Sequence, residues 1–203
     1  MNLDTEISHL IELMPASGRM MTKIVSQPQQ TKVIETSLPM PWQQGIRPIL
    51  INFDLWRNLS RPQRDLLLLR SVSGLIGVKW FKPNIYQAIA AAGLLGLVIE
   101  ISQADAVGMM VAGGLSAIAI NQIWRSNRSL QKELDADESA ISVASRRGYT
   151  ETEAARHLLS ALETVAQIEN RPLNFTELLR SQNLRVIGNL SPVAVPSNLR
   201  TEK

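Results

Sequence analysis

Glu133 and Asp137, in the stretch ELDADESAISVASRRGY (residues 133–149), are the side chains whose type and spacing could do chemistry. On a helix, an i,i+4 spacing puts both carboxylates on one face, a turn apart. Such a pair can contribute to a metal site or can pair with cations. Zinc hydrolysis needs three protein ligands, an open position for water and a base that takes the water's proton. The chain has two histidines, His9 and His157, no cysteine and no H-E-x-x-H. Neither histidine is paired at i,i+4 with another histidine, so each reads as a surface or cap residue rather than a metal ligand. Other chemistries find less support. Ser71 and Ser73 have no histidine nearby in sequence, and no G-x-S-x-G elbow is present. No phosphate-binding glycine motif occurs either.

The elements that must position these acids can be read from local signals. Gly148 stops the helix that carries them, with Arg146 and Arg147 in its last turn where the helix dipole favours cations. Thr150 and Glu153 form a capping box for the next helix, whose apolar stripe is Ala154, Leu158, Leu162 and Val165. Asn174 and Glu177 open one more short helix, FTELLRSQ. Upstream, Ser60, Pro62 and Gln63 open a helix whose run Leu66–Leu69 is apolar all round and must be buried. PILINF (residues 48–53) reads as a strand, and TKVIET leaves room for a shorter one. Residues 2–14 read as an amphipathic helix with Ile7, Leu10, Ile11 and Met14 on one face.

Hydrophobic residues make up 45% of the 203 and charged residues only 19%, a low charge fraction for a soluble domain. A net charge of +3 is too small to argue for nucleic acid. The N-terminus has neither the basic region nor the apolar run of a secretory signal. The apolar residues concentrate in two runs without charge, Ile85–Ile99 and Ala106–Trp124. Their outer ends carry Lys79, Lys82, Arg125 and Arg128 beside Trp80, Phe81 and Trp124, and the connector between them is acidic. This pattern predicts a two-helix transmembrane hairpin over residues 83–124 with both termini on the cytoplasmic side. The competing reading is a buried hairpin in a soluble core.

The order of parts resembles the HtpX type of membrane zinc endopeptidase. In that family a strand leads to an H-E-x-x-H helix. A membrane hairpin follows, and then an E-x-x-A-D helix ending in a Gly-Tyr turn. PILINFDLWRNLSRPQRDLLLLRSVSG resembles the first part, and ELDADESAISVASRRGYTETEAARHLLSALE resembles the last. The likeness spans roughly residues 46–185. Through this resemblance, Glu133 matches the third zinc ligand and Asp137 the aspartate that supports a ligand histidine. The H-E-x-x-H positions fall on Arg70, Ser71 and Gly74, so both histidines and the base are replaced. The chain also resembles a family of small cyanobacterial membrane proteins described only as a domain of unknown function. That likeness implies a location and no mechanism.

The expected fold class is mainly α with a small β element, a metalloprotease-like helical domain interrupted by the transmembrane hairpin. The expected parts are an N-terminal helix and irregular segment (1–47), a strand plus former active-site helix (48–80), the hairpin (83–124), a helical domain (125–190) and a flexible tail (191–203). The expected function is that of a non-catalytic pseudo-protease in the thylakoid or plasma membrane, a binding or assembly factor for a membrane protein complex. Its partners are membrane lipid and a membrane protein, with no nucleic acid, small-molecule substrate, metal or cofactor. The alternative is a zinc peptidase whose metal site another chain completes. Two fates are open for Arg70. Its guanidinium replaces the metal and pairs with Glu133, Asp137 or both, or it reaches solvent and the acids form an ordinary wet helix face.

Overall fold

A computed structural model describes residues 2–36, 45–77 and 130–190. Their elements, in order, are α1 (Leu3–Leu13), α2 (Ala16–Met21), β1 (Thr22–Ser26), β2 (Ile34–Thr36), β3 (Arg47–Ile51), α3 (Phe53–Trp56), α4 (Arg61–Gly77), α5 (Leu130–Ser145), α6 (Glu151–Ile168) and α7 (Phe175–Ile187). The chain divides into two compact units, Met1–Val78 with Leu130–Lys203, and Lys79–Ser129. All the described residues belong to the first.

Helix α4 is apolar all round because it is covered on two sides. Leu67, Leu68, Val72 and Leu75 pack with Leu10 and Met14 of the α1 region, Ile49 and Ile51 of β3, and Trp56. Leu66 and Leu69 face the other way, onto Ala140 and Ile141 of α5 and Ala154 and Leu158 of α6. The helix opens with half of the expected capping box, the Ser60 amide donating to Gln63 Oε1 at 2.8 Å. The Gln63 amide group is then spent on α6, donating to Ser160 Oγ and Thr164 Oγ1.

The sheet has the order β1-β3-β2. β1 runs parallel to β3, with Thr22 opposite Arg47 and Ser26 opposite Ile51. β2 runs antiparallel, with Ile34 opposite Ile51. Along β3, Ile49 and Ile51 are buried while Pro48 is exposed and Leu50 only partly covered, the alternation of a strand with one face on a core. Asn52 ends the strand and caps α3. Its Oδ1 accepts from the Asp54 and Leu55 amides, and its Nδ2 donates to the carbonyls of Pro28 and Gln30. One buried side chain thereby joins the loop after β1 to the start of α3.

The structure corrects the expected fold class. Among the described residues the fold is mainly helical with a small three-stranded sheet, and no helix is long and apolar enough to cross a membrane. A helical domain interrupted by a transmembrane hairpin is therefore not its description. Residues 83–124, where that hairpin was expected, lie outside the described residues, as do the tail from Ser191 and the four basic residues that set the expected topology. Two smaller differences concern the N-terminal region. Helix α2 and strand β1 lie where the sequence shows only a break after Pro15. On α1, Leu13 is buried in place of Ile11, which is exposed.

Candidate functional site

Glu133 and Asp137 lie on α5, a turn apart as their spacing requires, and face α4 and α7. Asp137 is completely buried, whereas the Glu133 side chain keeps 37% of its surface. The depth of Asp137 demands a cation, because an isolated buried carboxylate would be strongly penalised. The cation is Arg180 of α7. Its Nε donates to Asp137 Oδ2 and its Nη2 to Asp137 Oδ1, both at 2.8 Å, in the two-point geometry that matches guanidinium to carboxylate. Helix α7 is set for this contact by its N-terminal capping box. Asn174 Oδ1 accepts from the Glu177 amide, and Glu177 accepts from the Asn174 amide. Arg171 Nη1 and Nη2 donate to the two Glu177 oxygens at 2.8 and 2.9 Å, and Arg171 Nε donates to Glu169 at 2.6 Å. These bonds, with that of the Asn174 amide, hold the Glu177 pKa below its usual value although burial pushes the other way.

Arg70 enters the same cluster from α4. Its Nη2 pairs with Glu133 Oε2, and its Nε lies 3.6 Å from Asp137 Oδ1, beyond hydrogen-bond range. That Nε makes no hydrogen bond among the described residues. Burial, followed by the Arg180 charge, lowers the Arg70 pKa to about 10, with Asp137 opposing the change. Arg70 therefore stays cationic at neutral pH. The neighbouring sequence-predicted positions serve packing. Ser71 is buried and its hydroxyl donates to the Leu67 carbonyl of its own helix at 2.9 Å. A Cβ on Gly74 would meet Ala136 Cβ at 3.8 Å, so α4 and α5 pass closely there.

The structure thus brings Arg70, Glu133 and Asp137 together and adds Arg180, which the sequence reading missed. A signal for it was present. Arg180 falls one helical turn before Leu184, on the side of α7 that is buried. A cation on the buried side of a helix calls for a buried partner.

The two histidines lie elsewhere, at a second polar cluster. His9 is half-buried, with Nε2 2.9 Å from Asp65 Oδ1 and Nδ1 3.3 Å from Arg61 Nη2. These partners assign Nε2 as the donor to Asp65 and Nδ1 as the acceptor from Arg61. Tyr149, from the Gly-Tyr turn, donates its hydroxyl to Asp65 Oδ2 at 2.8 Å. Burial, and then this hydrogen bond, raises the Tyr149 pKa to about 12. His157 meets the Tyr149 ring edge-on, with centroids 6.1 Å apart. His9, expected as a surface or cap residue, is partly exposed and also ties α1 to α4. Among the described residues, no group of three or more histidine, aspartate and glutamate side chains could hold a metal ion.

Fold and site together define a mainly helical body whose most deeply buried carboxylate, Asp137, is neutralised by an arginine, with α4, α5 and α7 meeting at one ionic cluster. The chain belongs to the family described as Protein of unknown function (DUF3318), whose model matches residues 8–149. That span holds Arg70, Glu133, Asp137 and Tyr149, but not Arg180. The chain is also similar to Thylakoid membrane protein slr1949 of Synechocystis sp., with 33% identity over 147 residues, covering 70% of this chain and 69% of the relative. No solved structure matches. The expected kinship with a cyanobacterial family of unknown function is thereby borne out, whereas a relationship to the HtpX-type endopeptidases is not shown.

Proposed function

We propose that this chain is a non-catalytic, membrane-associated protein that binds a membrane protein partner, a pseudo-protease in which an arginine stands where a zinc ligand would be. One observation supports the reading above the others. Both oxygens of Asp137 are taken by Arg180, and Arg70, at the first histidine position implied by the HtpX resemblance, pairs with Glu133. Acids held this way have their charge balanced by guanidinium groups that compete with a metal for the same oxygens, so they are poor metal ligands. Zinc in an enzyme of that type would tie the same two helices together. Here a guanidinium does it without supplying a Lewis acid or an activated water. The name of the relative, a thylakoid membrane protein, supports membrane association for this chain. A binding or assembly role follows from keeping a frame without its chemistry.

Metal analysis and cell fractionation test the two halves separately. The purified protein should carry far less than one zinc per chain, and the protein in cells should be recovered with membranes. Stoichiometric zinc that disappears on Glu133→Ala overturns the non-catalytic half. Recovery in the soluble fraction overturns the membrane half. Capture of membrane proteins from solubilised membranes then identifies the partner.

A further inference from the structure

The parallel pairing of β1 with β3 brings two distant apolar segments to one end of the sheet. Thr22 lies opposite Arg47, so the residues just before them, Met21 and Ile46, emerge side by side. Strand spacing and Cα geometry keep them within about 13 Å of each other. Met20 is 79% exposed, Ile46 64% and Met21 37%. Arg19 and Lys23, on either side of the methionines, are exposed as well. No acidic residue occurs between Glu12 and Glu35, or between Glu35 and Asp54. Glu35 itself is paired with Lys32 at 2.6 Å. The corner is therefore apolar at its tip, and the charged side chains flanking the methionines in sequence, Arg19 and Lys23, are both basic.

The corner is also held firmly. Thr22 Oγ1 donates to the Gly18 carbonyl at 2.7 Å, and a Cβ on Gly18 would come within 2.7 Å of Val72 on α4. Helix α2 is thus pressed against the core at Gly18 while Met20 points to the far side and Met21 is exposed at the helix end. Methionine is unbranched and adaptable, suited to an irregular apolar medium. Arginine and lysine can lay their stems along that medium and keep their charges at headgroup level.

We infer that this end of the sheet docks on an anionic lipid surface, with Met20, Met21 and Ile46 entering the headgroup–acyl boundary and Arg19 and Lys23 contacting lipid phosphates. The inference rests on the membrane-association reading and names the surface that would serve it. Because the chain has no cysteine, Met20→Cys gives one labelling site for an environment-sensitive fluorophore in the full-length protein, and Glu138→Cys, at an exposed position of α5, gives a control. Vesicles of phosphatidylcholine with phosphatidylglycerol are compared with phosphatidylcholine alone, and flotation of the chain is scored in parallel. On anionic vesicles, emission from position 20 should shift to the blue and be quenched by spin-labelled lipid, with no change at position 138. Arg19→Gln and Lys23→Gln should each lower the shifted fraction about fivefold, less at high salt. If the chain floats and position 20 stays unquenched, the docking surface is wrong and membrane association stands. If the chain does not float, membrane association fails and the surface with it. Equal quenching on neutral vesicles overturns the choice of an anionic surface. A blue shift without vesicles that grows with protein concentration makes the corner an interface between copies, which also overturns it.

Discussion

Asp137 and Glu133 sit a turn apart on one helix, yet their surroundings give their ion pairs different weights. Asp137 is fully buried and Arg180 nearly so, and the pair has two-point geometry at 2.8 Å. Removing one side of such a pair strands a charge in the interior. Arg180→Ala should therefore cost about 3–5 kcal/mol, because Arg70 Nε at 3.6 Å is a poor replacement. Glu133 is more than a third exposed, so solvent screens its pairing with Arg70 and can rehydrate it when Arg70 is lost. Arg70→Ala should cost about 1 kcal/mol or less. Denaturant titration of the two variants checks the order, and a larger loss for Arg70→Ala would refute this division. Tyr149 makes a second prediction. Its folded pKa of about 12 lies above the ordinary value of 10, first because burial penalises the phenolate and then because the hydroxyl donates to Asp65. Between about pH 10 and 12 the folded chain holds a proton there that the unfolded chain has released, so stability falls as pH rises through that window. Below pH 10 the contribution is complete. Tyr149→Phe should flatten this part of a stability-versus-pH curve, and an unchanged slope would count against the hydrogen bond. Glu133, Asp137 and Arg70 were legible as a set because their spacing and order carry the resemblance. Arg180 was not, because its partner lies 43 residues away and only the fold brings them together.

Elements with local start signals were the ones legible in the sequence. Thr150 with Glu153 and Asn174 with Glu177 both form reciprocal capping boxes, each made by residues three apart. The stop at Gly148 was legible for the same reason. Its φ of +100° is one that residues with a Cβ rarely adopt. The end of α7 also has a glycine, Gly188 at its C-cap, and the helix runs to Ile187, past the expected FTELLRSQ segment. Strand β1 is held as a strand by its pairing with β3 more than twenty residues later, and a window of TKIVS carries no trace of that. Helix α2 depends on a tertiary contact in the same way. It fits against α4 because position 18 has no side chain. Gly18→Ala would place a Cβ 2.7 Å from Val72 Cγ1, and Val72 is fully buried and branched at Cβ, with little freedom to turn away. The substitution should cost about 1–3 kcal/mol. Adding Val72→Ala should make the loss at Gly18 smaller than it is alone. Strictly additive melting shifts would show that the two residues do not meet.

At the scale of the whole molecule, the described body is built from chain on both sides of residues 79–129. Helices α4 and α5 make the seam, and their contacts run in opposite senses along the chain. Leu66 and Leu69 share a cluster with Ala140, Ile141 and Ala144, Gly74 approaches Ala136, and Arg70 reaches Glu133. The helices are therefore antiparallel, and continuing the pattern brings Gly77 level with the start of α5. Packed helices stand about 8–10 Å apart, a gap that a connection of about six residues spans. Among the described residues, the two core clusters are built by residues from Leu10 to Leu75 and from Ala140 to Leu184, together with Ile7, Ile76 and Ile187 at their margins. Replacing residues 78–129 with a short Gly/Ser linker should leave a helical protein that unfolds in one cooperative transition. In that shortened protein Arg180→Ala should lower the melting temperature as it does in the full chain, because Asp137 and Arg180 both lie outside the excised segment. Circular dichroism and thermal melts provide the measurement. Loss of cooperative unfolding, or a melt insensitive to Arg180→Ala, would show that the ionic cluster forms only when residues 78–129 are present.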